Sequence, residues 1–563
     1  MLQLPALSAW THPSADSYRS KVDFTGVFIA ADVSWGAQIK ALGLGRKMPD
    51  EVSGVLGLAA FTSHVLVALL EAMRECSSEA LAQIGTLRRH HAPISRENEV
   101  ALVELISTNW KLSPAVKSFY GLKLALRNRL SEIAQLPRKF VGLSSLEIIT
   151  IIREADFLHL GFIESCVFAI EAFNETAQQP HRKWALLFDE LEIAPDDIRQ
   201  ALFAALRSTD QRLIFKLSIS PYHQDIQVLR SSTSAMLGED YQTIQLWYPR
   251  KEEGYSFSEA LLNAMLSDLN SKPANPEDIF SKSYFDADTQ EIGYRPGSRT
   301  QKRFKSLANR DESFSRYLTK NVVDVDKMHL MSETSRAGLV RKVTSLVAVR
   351  EAYRGNETAS GAKERSRKNP ELYTGAHALF AIVEGNPRWF IGLVGSLLRE
   401  YAETGRPIPR STQAKAITTA ASRFRALLRT IPFKPGSDPQ KRSLGARGLL
   451  SLLDAIGDRF HENVVIEDFS AEPTLSFIVD ANTTPEVLEA LGRALNAGAI
   501  ILIPDVNGEM LITSLRGKRF RLSYMLAPGY GIPITLGRAA SLSQILRTVG
   551  ENGEGSLFSW REA

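Results

Sequence analysis

Residues 184–195 read WALLFDELEIAP. Trp184 to Phe188 are five consecutive apolar residues, too few for a helix of their own, and they run straight into the carboxylates Asp189 and Glu190. A short apolar run of this kind reads as a strand buried on both faces, the type found in parallel sheets. Ligands of such sheets gather at the carboxyl ends of the strands. An acid there can hold Mg²⁺ through water, and the next acid can polarise the water that attacks a γ-phosphate. This is the Walker B pattern, although an ordinary strand ending in a solvated acidic turn would read the same way. The residues from Pro195 onward suit a helix: Pro195 fits a first turn, Asp196 and Asp197 its positive end, and Ile198, Leu202, Phe203 and Leu206 one apolar face.

Working outward, Leu213–Ile219 (LIFKLSI) is a second buried strand, closed by Ser220-Pro221. Two strands joined by one helix form a βαβ unit with both carboxyl ends on one edge. Ser218 or Ser220 could then bond a γ-phosphate or its attacking water, or a serine could simply end the strand. Upstream, Val27–Ala31 with Asp32 reads as a further strand of the same sheet. Apolar spacings of three and four predict helices over Leu56–Met73, Leu122–Leu136 and Phe157–Phe173, and Ser144 to Glu147 predicts a capped helix start. Met1–Trp10 is helix-compatible. A phosphate cradle needs GxxxxGK[ST] between a strand and a helix, and no such string occurs. Gly43-Leu44-Gly45-Arg46-Lys47 lacks the first glycine and the hydroxyl residue, and Met48-Pro49 comes directly after it. Residues 1–250 therefore read as an α/β nucleotide core without its phosphate-loop segment, as in a chain that begins inside or just after the helix following such a loop.

The 563 residues predict two to four domains, and a formal charge of +4 confines any nucleic-acid surface to a local patch. Cys76 and Cys166 show no pairing or ligand spacing, and His90, His91 and His181 stand apart from metal-ligand partners, so a reducing cytoplasm and no metal cluster are expected. No GxSxG, HExxH or Cys-His arrangement points to hydrolases of those types. Val52–Leu70 is uncharged, yet it holds Ser53, Thr62, Ser63 and His64 and runs into EAMREC, which predicts a buried helix rather than a membrane span. No charged-then-apolar leader opens the chain.

Residues 251–440 predict a helical lid with a loop-rich insertion over Lys272–Thr300 and a polar, basic linker at Gly355–Pro370. Within it, Glu384-Gly385-Asn386-Pro387-Arg388 opens a helix whose apolar face is Phe390, Leu393, Val394, Leu397 and Leu398. Asn386 can cap that helix, and Arg388 at its start could reach a phosphate, which makes both candidate cofactor-binding residues. A well-capped helix with a solvated arginine is the plain alternative. Residues 441–563 hold two amphipathic helices, a strand at Leu475–Val479, and strands at Ala499–Ile503 and Met510–Leu515 joined by Asp505–Gly508. Helices followed by a β-hairpin predict a winged helix. Arg516, Lys518, Arg519 and Arg521 would suit duplex phosphates, with Arg423, Arg425 and Arg429 adding charge; a solvated basic hairpin would look similar.

Taken together, WALLFDELEIAP, KLSISP, EGNPRWF and GKRFRLSYMLAPGYGIPITLGR resemble a bacterial P-loop ATPase family related to the origin-recognition and initiator-loader AAA+ ATPases. The resemblance implies an AAA+ α/β core, a helical lid and a winged helix, ATP and Mg²⁺ as cofactors, and double-stranded DNA or a protein as partner. Some members sit in mobile or antiviral defence loci. It further implies Asp189 as the Mg²⁺-side acid, Glu190 as the water activator, Ser218 or Ser220 as a first sensor and Arg388 as a second. A homo-oligomer would take an arginine finger from Arg207 or Arg212. The missing phosphate loop leaves two expectations: an ATP-driven switch, or a non-hydrolysing adaptor that binds DNA or protein through its winged helix.

Overall fold

The computed structural model describes residues 21–36, 50–83, 90–207, 210–222, 239–244, 246, 251–287, 290–354, 370–433, 447–504, 512 and 514–551. The expected Met1–Trp10 helix, the Gly43–Lys47 string and nearly all of the 355–370 linker lie outside them. The chain forms two compact units, Met1–Thr243 and Ile244–Ala563.

The first unit is built on a parallel three-stranded sheet in the order β1-β2-β3, with β1 at Phe24–Ala30, β2 at Lys183–Asp189 and β3 at Leu213–Leu217. β2, the WALLFD strand, is therefore central. Trp184, Leu186 and Phe188 point to one face, where they join Val27 and Ile29 in the main core, and Ala185 and Leu187 point to the other with Phe24. Every residue from Trp184 to Phe188 is fully buried, which is why the run is uninterrupted rather than alternating. Trp184 is fixed by its indole N–H, which donates to Asn174 Oδ1 at 3.0 Å, and by an edge-on contact with Phe173 at 5.5 Å.

Helices α1 (Asp50–Cys76), α2 (Arg96–Asn109), α3 (Phe119–Lys139), α4 (Ser145–Glu154) and α5 (Phe162–Thr176) intervene between β1 and β2, and α6 (Asp196–Ala205) between β2 and β3. α4 starts with a full capping box: Ser144 N–H donates to Glu147 Oε2 at 2.7 Å and Glu147 N–H to Ser144 Oγ at 3.3 Å. α1 is long and apolar enough to cross a membrane, but 67% of its most apolar window is buried inside the protein. Leu56, Phe61, Val65, Leu69 and Met73 of α1 lie in the main core, so its composition is that of a core helix packed on several sides.

The second unit is mainly helical: α7 (Lys251–Asp268), α8 (Arg299–Ala308), α9 (Glu312–Lys320), α10 (Thr344–Tyr353), α11 (Ala376–Ile382), α12 (Pro387–Thr404), α13 (Arg410–Thr430), α14 (Leu449–His461), α15 (Pro485–Asn496) and α16 (Leu542–Glu551). A buried ion pair, Arg350 with Asp311, ties α10 to the cap of α9; Asp311 accepts from Ser313 N–H at 3.0 Å, and Arg350 also donates to the Val464 carbonyl at 2.7 Å. The unit ends in a four-stranded sheet ordered β5-β6-β4-β7, with β4 at Thr474–Ile478, β5 at Ile500–Ile503, β6 at Arg519–Leu522 and β7 at Arg538–Ser541. The turn 505–508 and residues 510, 511 and 513 of the Met510–Leu515 strand expected to pair with Ala499–Ile503 lie outside the described residues; β5 pairs antiparallel with β6, Ile500 opposite Leu522 and Ile503 opposite Arg519. β6 is an inner strand of this sheet and buries Phe520 and Leu522.

Candidate functional site

Three strand ends meet at one edge of the parallel sheet. Ala30 is in register with Asp189, and Ala31 N–H donates to the Asp189 carbonyl at 3.0 Å. On the other side Ser218 N–H donates to the Phe188 carbonyl at 2.8 Å, and the Ser218 carbonyl accepts from Leu191 N–H at 3.4 Å. The Asp189-Glu190-Leu191 turn is thus held between β1 and β3. Leu191 is fully buried beneath it, Asp189 is half-buried and Glu190 is exposed. The geometry distinguishes the two serines: Ser218 is bonded directly to the acidic turn, whereas Ser220 lies two residues further along the chain.

Glu190 occupies the left-handed region, with φ 58° and ψ 38°. A residue with a Cβ costs roughly 1–2 kcal/mol there. Its N–H donates to Asp189 Oδ1 at 3.1 Å, so the strained turn sets the first carboxylate and swings the second outward. α6 comes next, with Asp196 and Asp197 in its first turn, and buries Ile198, Leu202 and Phe203, as the sequence predicts.

A feature that the sequence marks only through Asp32 stands at the end of β1. Asp32 caps a 3₁₀ turn, Val33–Trp35, by accepting from Ser34 N–H at 2.7 Å. Trp35, fully buried and edge-on to Phe61 at 5.0 Å, donates its indole N–H to His64 Nδ1 at 2.8 Å. This bond makes Nδ1 an acceptor, so the neutral imidazole carries its proton on Nε2. Burial pulls His64 below the usual imidazole range, and the Asp32 carboxylate opposes that shift. His64 lies 29 residues from Trp35 in the middle of an apolar helix, so only Asp32, directly after a strand, marks this place in the sequence.

Among the described residues no three His, Cys, Asp or Glu side chains form a metal-holding group. Mg²⁺ does not demand one, because it keeps most of its waters and takes one or two carboxylates plus phosphate oxygens. The half-buried Asp189 and exposed Glu190 at a strand's carboxyl end fit that donor set. The lysine and hydroxyl of a phosphate loop have no counterpart in the sequence.

In the second unit Arg388 is the second residue of α12 and is exposed. The α12 face is as expected, with Phe390, Leu393, Val394, Leu397 and Leu398 buried. Asn386 accepts from Arg388 N–H at 3.0 Å and Trp389 N–H at 3.2 Å, so its side chain acts as the helix cap rather than turning toward a cofactor. The preceding Glu384, φ 55°, accepts both guanidinium nitrogens of Arg521 at 2.8 Å and the Tyr524 N–H at 2.6 Å.

This changes the reading of the basic turn. Arg521 is 8% exposed, paired with Glu384 and stacked 4.0 Å from the Tyr524 ring, so it is structural and does not face a phosphate. Arg519 is half-buried and donates to Ser476 Oγ at 3.0 Å and the Gly537 carbonyl at 2.6 Å. Arg516 is exposed, but it closes the 480–483 turn through the carbonyls of Asp480, Ala481 and Thr483 at 2.7–3.0 Å. The Lys518 carbonyl accepts from Val479 N–H at 3.1 Å, anchoring the turn to the end of β4. Arg425 pairs with Asp454 at 2.9 Å, while Arg423 and Arg429 are exposed. Of the two finger candidates, Arg212 bonds Asp210 at 2.9 Å and Arg207 lies 3.4 Å from Asp240.

No curated protein and no solved structure matches the chain. The family model described as ORC-CDC6-like matches residues 1–542 of the 563, taking in the acidic turn, the GNPR helix start and the C-terminal sheet. The chain therefore belongs to the ORC-CDC6-like family, related to the origin-recognition and initiator AAA+ ATPases.

Proposed function

We propose that this protein is an ATP-dependent molecular switch of the AAA+ kind that acts on DNA or a protein partner in the cytoplasm. The observation that carries the reading is the strained acidic turn at the end of the central parallel strand, clamped by Ser218 on one side and Ala31 on the other. Asp189 would hold the hydration shell of Mg²⁺, which neutralises phosphate charge when bound. Glu190, exposed and carried outward by its left-handed backbone, orients and accepts a proton from the attacking water. Ser218, rather than Ser220, takes the role of first sensor because its backbone bonds tie it to the acidic turn. Arg388 acts as the second sensor, a fixed positive fork at a helix start that responds to the γ-phosphate.

Residues 1–250 serve as the nucleotide core, 251–440 as the lid and 441–563 as a winged helix. Support for the last comes from a helical segment, α14 and α15, interleaved with β4 and followed by the antiparallel β5–β6 pair. A titration of the full chain with ATP and Mg²⁺, repeated on Asp189→Ala, tests the reading. Micromolar binding that weakens at least tenfold in the variant is expected, with Glu190→Gln binding normally but not turning over. Absence of binding by the full chain would refute it and favour the non-hydrolysing adaptor, which the missing GxxxxGK[ST] string otherwise suggests.

A further inference from the structure

Two helices of the second unit break the same electrostatic rule at the same place. A helix N-terminus is positive and favours acids in its first turn. α8 and α13 instead open with Arg299 and Arg410 and have no acid in their first turns. Both arginines converge on one ring: the guanidinium carbons of Arg410, Arg303 and Arg299 lie 4.3, 4.6 and 5.5 Å from the centre of Tyr284.

Among the described residues none of the three is ion-paired with a carboxylate. Their bonds go to neutral oxygens: Arg410 to Thr374 Oγ1 at 2.7 Å and the Lys282 carbonyl at 2.6 Å, Arg303 to the Tyr284 carbonyl at 3.2 Å, and Arg299 to the Asp286 carbonyl at 3.5 Å. The nearby acids are engaged elsewhere. Asp286 faces His377 Nδ1 at 2.6 Å and Ser283 N–H at 2.8 Å, and Glu351 faces Arg310 at 2.9 Å. Burial lowers the Arg303 pKa, and Arg299 and Arg410 push the same way against Glu351 and Tyr284. Three half-buried cations and two positive helix ends thus share one site with an excess of positive charge over the facing Asp286 and Glu351, which bond His377 and Arg310 instead.

The site is also rigid. Gly375, φ 97°, sits where a Cβ would lie 2.6 Å from the Ser283 backbone, and its N–H donates to Gln413 Oε1 at 2.9 Å. Gln413, fully buried one turn after Arg410, also donates to the Phe280 and Ile408 carbonyls at 3.1 and 2.8 Å. Local rules broken in concert on a stiff platform mark function rather than folding. The cavity beside Tyr284, lined by Asp286 as well as Arg299, Thr300, Arg303 and Thr344, is about 10 Å³. That is room for about one water. A nucleotide cannot be swallowed there, but a phosphate of a molecule lying outside can be gripped.

We propose that Tyr284, Arg299, Arg303 and Arg410 form a phosphate clamp for the backbone of duplex DNA lying across the starts of α8 and α13. The clamp rests on the DNA-acting reading above and relocates that contact from the basic turn at 516–521. Its test is duplex binding by the full chain, followed by fluorescence anisotropy over a salt series, for wild type, Arg299→Gln, Arg303→Gln and Arg303→Lys. Each Gln variant should weaken binding about tenfold, and the slope of log K against log salt should fall by about 0.9 for each lost phosphate contact. Arg303→Lys keeps the charge, so it should keep the slope while losing part of the affinity, and thermal melts check that the fold persists.

Unchanged affinity and slope in both Gln variants would overturn the clamp while leaving DNA binding by the wild type intact. Sensitivity of tripolyphosphate or poly-glutamate binding to Arg303→Gln, with duplex binding insensitive, would overturn it in favour of that ligand. A wild type that binds no duplex would remove the clamp and the DNA arm together, and the ATP titration with Asp189→Ala would still report separately on the nucleotide site.

Discussion

Replacing Glu384 by Gln tests whether the GNPR helix start depends on the C-terminal sheet. The Glu384 and Arg521 side chains are 9% and 10% exposed and make two bonds of 2.8 Å, and a third acceptor bond of 2.6 Å goes to Tyr524 N–H. Glutamine keeps the shape and one acceptor but leaves a buried guanidinium without its counter-charge. Breaking a buried pair from one side costs about 3–5 kcal/mol, and the retained acceptor places this variant near the lower figure. With a urea m-value of about 3 kcal/mol/M, the midpoint for this unit falls by about 1 M. Urea unfolding followed by tryptophan fluorescence reads this, since Trp389 sits at the α12 start against Phe424 at 4.8 Å. Arg521→Met in the Glu384→Gln background removes the stranded charge, so the double variant should be more stable than the two single losses added. A loss below about 1 kcal/mol, or strictly additive losses, would refute the argument.

Four other substitutions probe the rest of the molecule. Glu190→Gly relieves the left-handed backbone and should stabilise the first unit by up to about 1 kcal/mol in thermal unfolding while abolishing ATP turnover. Asp311→Asn strands the buried Arg350 and should cost about 3 kcal/mol, measured by urea unfolding. Ser144→Ala removes one arm of the α4 capping box and should cost about 1 kcal/mol, visible as faster amide exchange in that helix. Burial pulls His461 down from 6.5 to about 4, against the pull of the Gly531 and Tyr530 carbonyls. A depressed folded pKa gives stability that is present above 6.5 and is lost as pH falls toward about 4, about 3 kcal/mol in all; His461→Phe should flatten that slope in pH-dependent melts.

The sequence shows most where a residue's environment is settled by its neighbours in the chain. Trp184–Phe188 is legible because both faces of a central strand are buried, and α4 and α12 are legible because Ser144, Glu147, Asn386 and Pro387 act within one helical turn. Charge at a distance is not legible. Arg516, Arg519 and Arg521 resemble a phosphate-binding turn, and only the fold reveals that Glu384, Ser476 and a set of carbonyls occupy them. The acidic turn is visible as DE, whereas the Trp35–His64 bond behind Asp32 joins a loop to mid-helix and leaves no local pattern. Tyr284 and its three arginines come from three separate segments, so their meeting too is a product of the fold.

The Glu384–Arg521 junction spans 137 positions of sequence, yet it makes them one heritable unit. A lineage that loses either charge must lose the other soon afterwards or carry a crippled chain, so the two sites should be exchanged as a pair among relatives. Because Asn386 stands two residues past Glu384 and fixes the amide of Arg388, that pair also constrains the arginine it never touches. Selection acting on the C-terminal sheet is thereby selection on the helix start.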